Sequence, residues 1–241
     1  MVLVFILGGF KMKITKNNDL YELSFLPNFF PVNCFLVEEE NELTLIDTAL
    51  SFSATKIIEA ANQIGKKITN IVLTHAHGDH VGSLDQLKSL LPDAVVSISK
   101  RDAKLLKGDT SLEASEPNTP IKGGVPKNIQ TIPDRLLQEG DTIGSLIAVE
   151  VPGHTPGSMA FLDQRTNALI AGDAFSLRGG FAISGQLRIL FPFPSMATWN
   201  KEAALNSAKK ISELKPTLLA VGHGTMLNHP QEAIDRALKK Q

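Results

Sequence analysis

The side chains best suited to chemistry are gathered in Thr74-His75-Ala76-His77-Gly78-Asp79-His80-Val81-Gly82, where three imidazoles and a carboxylate fall within six positions. Imidazole suits zinc and related borderline cations, and carboxylate adds a harder donor fit for activating water. Half of the six histidines in the chain are concentrated here. Three further candidate ligands follow, each beside glycine: His154 in Pro152-Gly153-His154-Thr155-Pro156-Gly157, Asp173 in Ala171-Gly172-Asp173, and His223 in Val221-Gly222-His223-Gly224. Glycine beside a ligand lets backbones approach closely or adopt positive φ, as a compact site of several donors requires. A lone Gly-His-Gly is usually a turn with an incidental histidine. Together, in this order and each after an apolar run, these motifs point to a polynuclear metal site. His229, just before Pro230, reads as a helix-terminal or surface residue.

The elements that must position these groups follow from periodicity. Leu20–Phe25, Val32–Val37 and Leu43–Ile46 read as an antiparallel meander, with Glu38 to Glu42 as a charged turn. Asp47 then lies at a strand end, open to two readings: partner of a metal ligand, or cap for a helix starting near Ser51. Ile57, Ile58, Ala61 and Ile64 are at helical spacing and Gly65 stops that helix. Ile71–Leu73 is an apolar strand, and Val81, Leu84, Leu87 and Leu91 predict a helix over 81–91. The histidine cluster therefore sits on a strand-to-helix loop, where rigid flanks can hold catalytic groups. A strand at 94–98, a short helix at 100–106 and a long Gly/Pro-rich surface loop over 108–127, expected near the mouth of the site, follow. Further strands are expected at 136–137, 142–143, 146–151, 158–162, 168–171 and 217–221, with helices at 201–214 and 230–239. This order suggests two sheets packed face to face with helices outside.

The chain of 241 residues is expected to form one domain, with residues 1–11 read equally as an N-terminal extension, an edge strand or an interface segment. A net charge of −1 leaves no electrostatic footprint for nucleic acid or an anionic membrane, so the expected partner is a small-molecule substrate. The single cysteine, Cys34, cannot form an internal disulfide. The apolar start, about seven residues long, is too short to span a bilayer, and Lys11 and Lys13 follow it rather than precede it, unlike a secretory signal. A cytoplasmic location is expected.

At its His and Asp motifs the chain resembles the metallo-β-lactamase superfamily, from about Leu20 onward. The resemblance implies an α+β fold, a four-layer αββα sandwich of two mixed β-sheets with external helices and a site along one edge. Carried over motif by motif, it implies that His75, His77 and His154 hold one metal and that Asp79, His80 and His223 hold a second. Asp173 would bridge the two, and Asp47 would orient the ligand loop. The implied cofactors are two divalent ions, zinc first, with manganese, iron or cobalt also suited to such donors.

Departures from individual branches narrow the activity. The only cysteine lies far upstream of the site and Val81, not histidine, follows His80, which argues against antibiotic hydrolysis. The flavo-diiron branch has glutamate where His77 stands. The glyoxalase II and lactonase-like group remains, implying hydrolysis of a small ester, lactone or thioester by a hydroxide shared between two ions, with the carbonyl polarised by one of them. Asp79 is the candidate for passing a proton to the leaving group. The chain ends eighteen residues after His223, where glyoxalase II adds a helical domain, and the only tyrosine, Tyr21, is far from the motifs, unlike many acyl-homoserine lactonases. An alternative from another class is a persulfide dioxygenase with one iron, and another is a quorum-quenching lactonase on acyl-homoserine lactones.

The walls of the site should lie in the apolar stretch 174–199, read either as a pocket lid or as packing at the sandwich edge or a homodimer interface. Phe175, Phe181, Phe191 and Phe193 from this stretch, with Phe29 and Phe30 from an earlier hairpin tip, are the candidate pocket residues. Arg178 and Arg188 are candidates to orient a substrate carboxylate, or else solvated surface.

Overall fold

Alternating burial along the first strands lets one sheet serve two cores. The computed structural model describes residues 2–5, by their backbone alone, and residues 12–240. The first sheet runs in chain order through β1 (Val2–Phe5), β2 (Met12–Asn17), β3 (Leu20–Phe25), β4 (Val32–Glu38), β5 (Glu42–Ile46), β6 (Lys67–Val72), β7 (Val95–Ser99) and β8 (Arg135–Leu137). Its first five strands pair antiparallel and β5 to β8 pair parallel. Of residues 1–11, Val2–Phe5 is thus an edge strand, and the remainder lies outside the described residues.

The second sheet contains β9 (Thr142–Ile143), β10 (Leu146–Glu150), β11 (Met159–Asp163) and β12 (Ala168–Ile170). A small ribbon of β13 (Phe175–Ser176) and β14 (Ala182–Ile183) stands apart, and β15 (Leu218–Ala220) and β16 (Leu227–Asn228) complete the second sheet in the order β16-β15-β12-β11-β10-β9. Helices α1 (Ala54–Ile64), α2 (Gly78–Val81), α3 (Leu84–Leu90) and α4 (Asp102–Leu106) follow strands of the first sheet, and α5 (Phe193–Ala197), α6 (Lys201–Leu214) and α7 (Gln231–Leu238) belong to the second half.

Three apolar layers confirm the αββα order. Leu23, Leu36 and Leu45 meet Ile57, Leu84 and Leu87 on the outer face of the first sheet. Phe35, Val37 and Ile46 meet Phe161, Ile170 and Ala220 between the sheets. Leu169 and Leu219 meet Ala208, Ile211 and Ile234 outside the second sheet. Burying such faces from water is the main driving term for this assembly. Among the described residues no helix is long and apolar enough to cross a membrane.

The helix expected over 81–91 is observed as α3 only from Leu84, while Val81 ends the separate short helix α2. Between the two, a Cβ on Gly82 would lie 2.8 Å from the Ala49 carbonyl oxygen and 2.7 Å from the Ser51 amide nitrogen. The 49–51 segment therefore presses against the helix, and the chain re-enters helix only after Ser83, whose hydroxyl accepts from the Ser53 and Ala54 amides.

Candidate metal centre

The loops at one edge of the sandwich bring all seven candidate donors together. His75, His77, Asp79 and His80 leave the end of β6, His154 lies between β10 and β11, Asp173 follows β12, and His223 follows β15. Donor atoms of His75, His77 and His154 lie within 4.8 Å of one another, and so do those of Asp79, His80 and His223. Asp173 stands between the sets: its Oδ2 is 3.3 Å from His154 Nε2 and 3.2 Å from His223 Nε2, and its Oδ1 is 3.5 Å from His80 Nε2. Gly222 permits this approach, because a Cβ there would fall 2.2 Å from Asp173 Oδ1.

Hydrogen bonds fix which nitrogen of each imidazole carries the proton. Thr74 donates its only hydroxyl proton to Asp47 Oδ2 at 2.7 Å, so the contact of 2.9 Å between its oxygen and His75 Nδ1 is donated by the imidazole, which leaves Nε2 bare. Thr198 gives its proton to the Pro194 carbonyl, Ser184 then donates to Thr198, and His154 Nδ1 must donate to Ser184 at 3.0 Å. His80 Nδ1 donates to Asp47 at 2.8 Å and His223 Nδ1 to the Pro31 carbonyl at 2.7 Å. His77 is turned the other way: Nε2 donates to the Lys122 carbonyl at 3.0 Å, and Nδ1 faces His154 Nε2 at 3.0 Å. Five lone pairs are thus aimed inward by five outer partners, as metal-binding histidines require.

That inward volume fits cations. His75 Nε2, His80 Nε2 and Asp173 Oδ1 are buried there without a hydrogen-bond partner, a costly condition that a bound cation relieves. Burial lowers the pKa of His75, His77 and His154, the last to about 3, so these stay neutral and offer lone pairs. Burial opposes charge on His80 as well, yet Asp173, Asp79 and Asp47 raise its pKa to about 10, and Asp173 and Asp79 raise that of His223. The Asp173 and Asp79 carboxylates are held ionised by the same imidazoles, against burial. The buried Asp173 and half-buried Asp79 carboxylates demand positive charge in this half of the cluster, and a metal ion meets that demand better than protons on its ligands do.

Asp47, His75 and His80 also form a compact triad, but both oxygens of Asp47 are already engaged by the ligand loop. Its Oδ1 accepts from the Thr74 amide at 2.7 Å, and its Oδ2 from Thr74 Oγ1 and His80 Nδ1. Its carboxylate therefore orients the loop and caps no helix; the N-terminus of α1 is met by the Ser83 hydroxyl instead.

Several positioning residues carried no sequence signal. Asp102, wholly buried, accepts from the Ala76 amide, the Gly157 amide and Thr155 Oγ1 at 2.7–3.0 Å, tying the first histidine loop to the His154 turn. Asn33 donates to the Val221 and Gly224 carbonyls and so braces the His223 loop. The 108–127 loop lies over the site: Gly78 N donates to the Gly124 carbonyl and Trp199 Nε1 to the Thr119 carbonyl. A Cβ on Gly123, at φ +88°, would meet His77 Nε2 at 2.3 Å. The Gly123-Gly124 pair was the available sign that this loop touches a site.

The structure divides the candidate pocket residues. Phe30 stacks edge-on against Phe193 and His223, with Phe191 beside all three at centroid distances of 5.1–5.4 Å. Phe29 points outward, 85% exposed. Phe175 is a correction: it is fully buried against Ala208 and Ile211 in the outer core of the second sheet, and Phe181 packs on it there. Strand β13 turns that side chain inward. Arg178 donates to the Asn28 carbonyl and Arg188 to the Phe181 carbonyl, so both brace loops.

A two-sheet αββα sandwich with a buried His/Asp cluster on one edge defines a fold with a candidate metal centre. The chain belongs to the metallo-beta-lactamase superfamily, whose family model matches residues 27–223. It is 59% identical to YobT of Bacillus subtilis over 95% of this chain and 98% of YobT. It is 26% identical to the hydroxyacylglutathione hydrolase GloC of Haemophilus influenzae, over 84% of this chain and 90% of GloC. Among solved structures, TTHA1623 in a di-iron-bound form superposes with a TM-score of 0.62 at 27% identity, covering 84% of this chain and 92% of that one.

Proposed function

We propose that the protein is a metal-dependent hydrolase of small esters, lactones or thioesters that uses two divalent ions. The observation that carries this reading is the Asp173 carboxylate, within 3.5 Å of His154 on one side and of His80 and His223 on the other. His75, His77 and His154 would hold one ion, Asp79, His80 and His223 the other, and Asp173 would be shared. Such ions supply Lewis acidity toward a carbonyl oxygen and a water acidic enough to act as nucleophile near neutral pH.

The chain's own residues set up the rest. Asp47, Thr74, Ser184, Lys122 and Pro31 hold the imidazoles in donor orientation before substrate arrives, so little reorganisation remains for the reaction. Asp79 is the least buried of the donors, with 28% of its side chain exposed, and its Oδ2 lies 3.5 Å from His223 Nε2. In this reading Asp79 takes a proton from the attacking water and returns it to the departing alkoxide or thiolate. Phe30 and Phe191 wall the His223 side and keep bulk water from it.

GloC is matched over 90% of its length, so a glutathione thioester belongs in the test panel. The test is turnover of lactones, thioesters, aryl esters and phosphodiesters by metal-replete protein, with His77→Ala as the blank. Turnover surviving in the blank, or one iron per chain with oxygen uptake on a persulfide, would overturn the reading. Unchanged turnover in Asp79→Asn at full metal content would remove Asp79 from proton transfer.

A further inference from the structure

Beyond the donors, the exposed apolar side chains are unevenly distributed. Phe29, Leu187, Ile189, Leu190, Phe193 and Met196 are 53–90% exposed, and all lie on two short segments beside the site. Exposed apolar side chains gathered on neighbouring loops beside a site are candidates for a binding surface.

These segments are tied to the candidate donors. Leu177 N and Arg178 N donate to the His223 carbonyl, and Arg178 Nη2 donates to Asn28, joining the Phe29–Phe30 tip to the same turn. A Cβ on Gly179 would touch Leu190 and Phe191 at 3.2–3.3 Å, so the 188–191 stretch rests on that turn. At the other end, Ser184 and Thr198 hold His154 through its Nδ1, and Trp199 N donates to the His154 carbonyl. The apolar surface is therefore a shelf anchored at both donor sets. It begins at His223, where Phe30 and Phe191 contact the imidazole at 5.2 and 5.4 Å, and runs outward to the exposed side chains. The two arginines within it donate to backbone carbonyls of the Asn28 and Phe181 loops and so brace the shelf, whose exposed side chains named above are apolar.

Resting on the hydrolase reading, we propose that this shelf is the seat for a linear aliphatic chain of the substrate, whose ester, lactone or thioester carbonyl then lies at the donor cluster. The chain can belong to the acyl half or to the leaving group, and the shelf recognises it by apolar contact alone. Because burial on an open shelf is partial, each added methylene should raise kcat/KM about twofold, near half of the full-burial increment.

The test compares butanoyl with octanoyl thioesters and esters, and butyl with octyl acetates, on metal-replete protein. The expected result is an octyl-to-butyl ratio of roughly 16 in one series, falling to below about 3 in the Ile189→Ser/Leu190→Ser double variant at unchanged metal content and melting temperature. Ile132→Ser, at a 74% exposed position on another loop, should keep the wild-type ratio. Turnover with no chain-length dependence overturns the shelf and leaves the hydrolase reading intact. A flat ratio in a protein that dimerises, with the double variant monomeric, also overturns it and assigns the shelf to a second copy. Absence of turnover on every substrate removes the hydrolase reading. The shelf is then judged by titrating octanol and butanol against the emission of the single tryptophan, Trp199: tighter octanol binding by about tenfold supports it, and equal binding overturns it.

Discussion

The two halves of the donor cluster are chemically similar and electrically different. His75, His77 and His154 donate outward to uncharged oxygens of Thr74, Lys122 and Ser184, and burial keeps them neutral. His80 donates outward to the Asp47 carboxylate and lies within 4.0 Å of Asp79 and Asp173. The first half offers lone pairs and little charge; the second concentrates negative charge in a buried volume, where attraction for a cation is weakly screened. A divalent ion should therefore be retained more tightly in the second half, with Asp173 as the group that couples the two.

The most severe way to break this asymmetry is to remove the shared group. Asp173→Asn keeps the shape and removes the charge that faces both halves, so both ions should be weakened. Retention after dialysis against a chelator, measured by metal analysis, should fall by more than about a hundredfold in affinity, beyond the range for partners that touch no metal. Asp47→Asn is more selective. The amide can accept only part of what Thr74 and His80 donate and presents a donor to the rest, so the second ion should lose roughly ten- to a hundredfold in affinity while the first is little changed. A loss confined to the first ion would contradict the proposed division. Gly123→Ala probes the other half, because its Cβ would displace the 122–124 strap from His77. It should weaken the first ion by about tenfold, at the low end of such effects, and leave the second.

How much of this was legible in the sequence depends on the range of the interactions involved. The His75-to-His80 loop, the strands before it and helices α1, α6 and α7 were readable because their periods and stop signals are local. The ligands at 154, 173 and 223 were readable because glycine marks close approach. Asp102 was not, since its importance comes from bonds to Ala76 and Gly157, far away in the chain. Gly82 separates α2 from α3 for the same reason. Phe175 was placed in the pocket because the 174–199 stretch has no period to show which side chains turn inward, and β13 decides that only by pairing with β14.

A last comparison reads stability instead of metal affinity. Glu22, on β3, is 1% exposed and accepts from the Met226 amide at 3.0 Å, just past the His223 loop. Burial raises its pKa from the usual 4.5 to about 7, against that hydrogen bond and the more distant Lys13. Between those two values the folded chain holds a proton that the unfolded chain has released. The group's relative contribution to stability is therefore full below about pH 4.5, declines as pH rises, and reaches its full penalty above about pH 7. At 1.36 kcal/mol per pKa unit the span is about 3 kcal/mol. Glu22→Gln removes the titration and keeps an acceptor for Met226, so urea midpoints of variant and wild type should diverge in the variant's favour between pH 5 and pH 8. Subtracting the two curves isolates this group from every other titration in the chain. Parallel curves would mean that Glu22 is hydrated or paired in solution and carries no raised pKa.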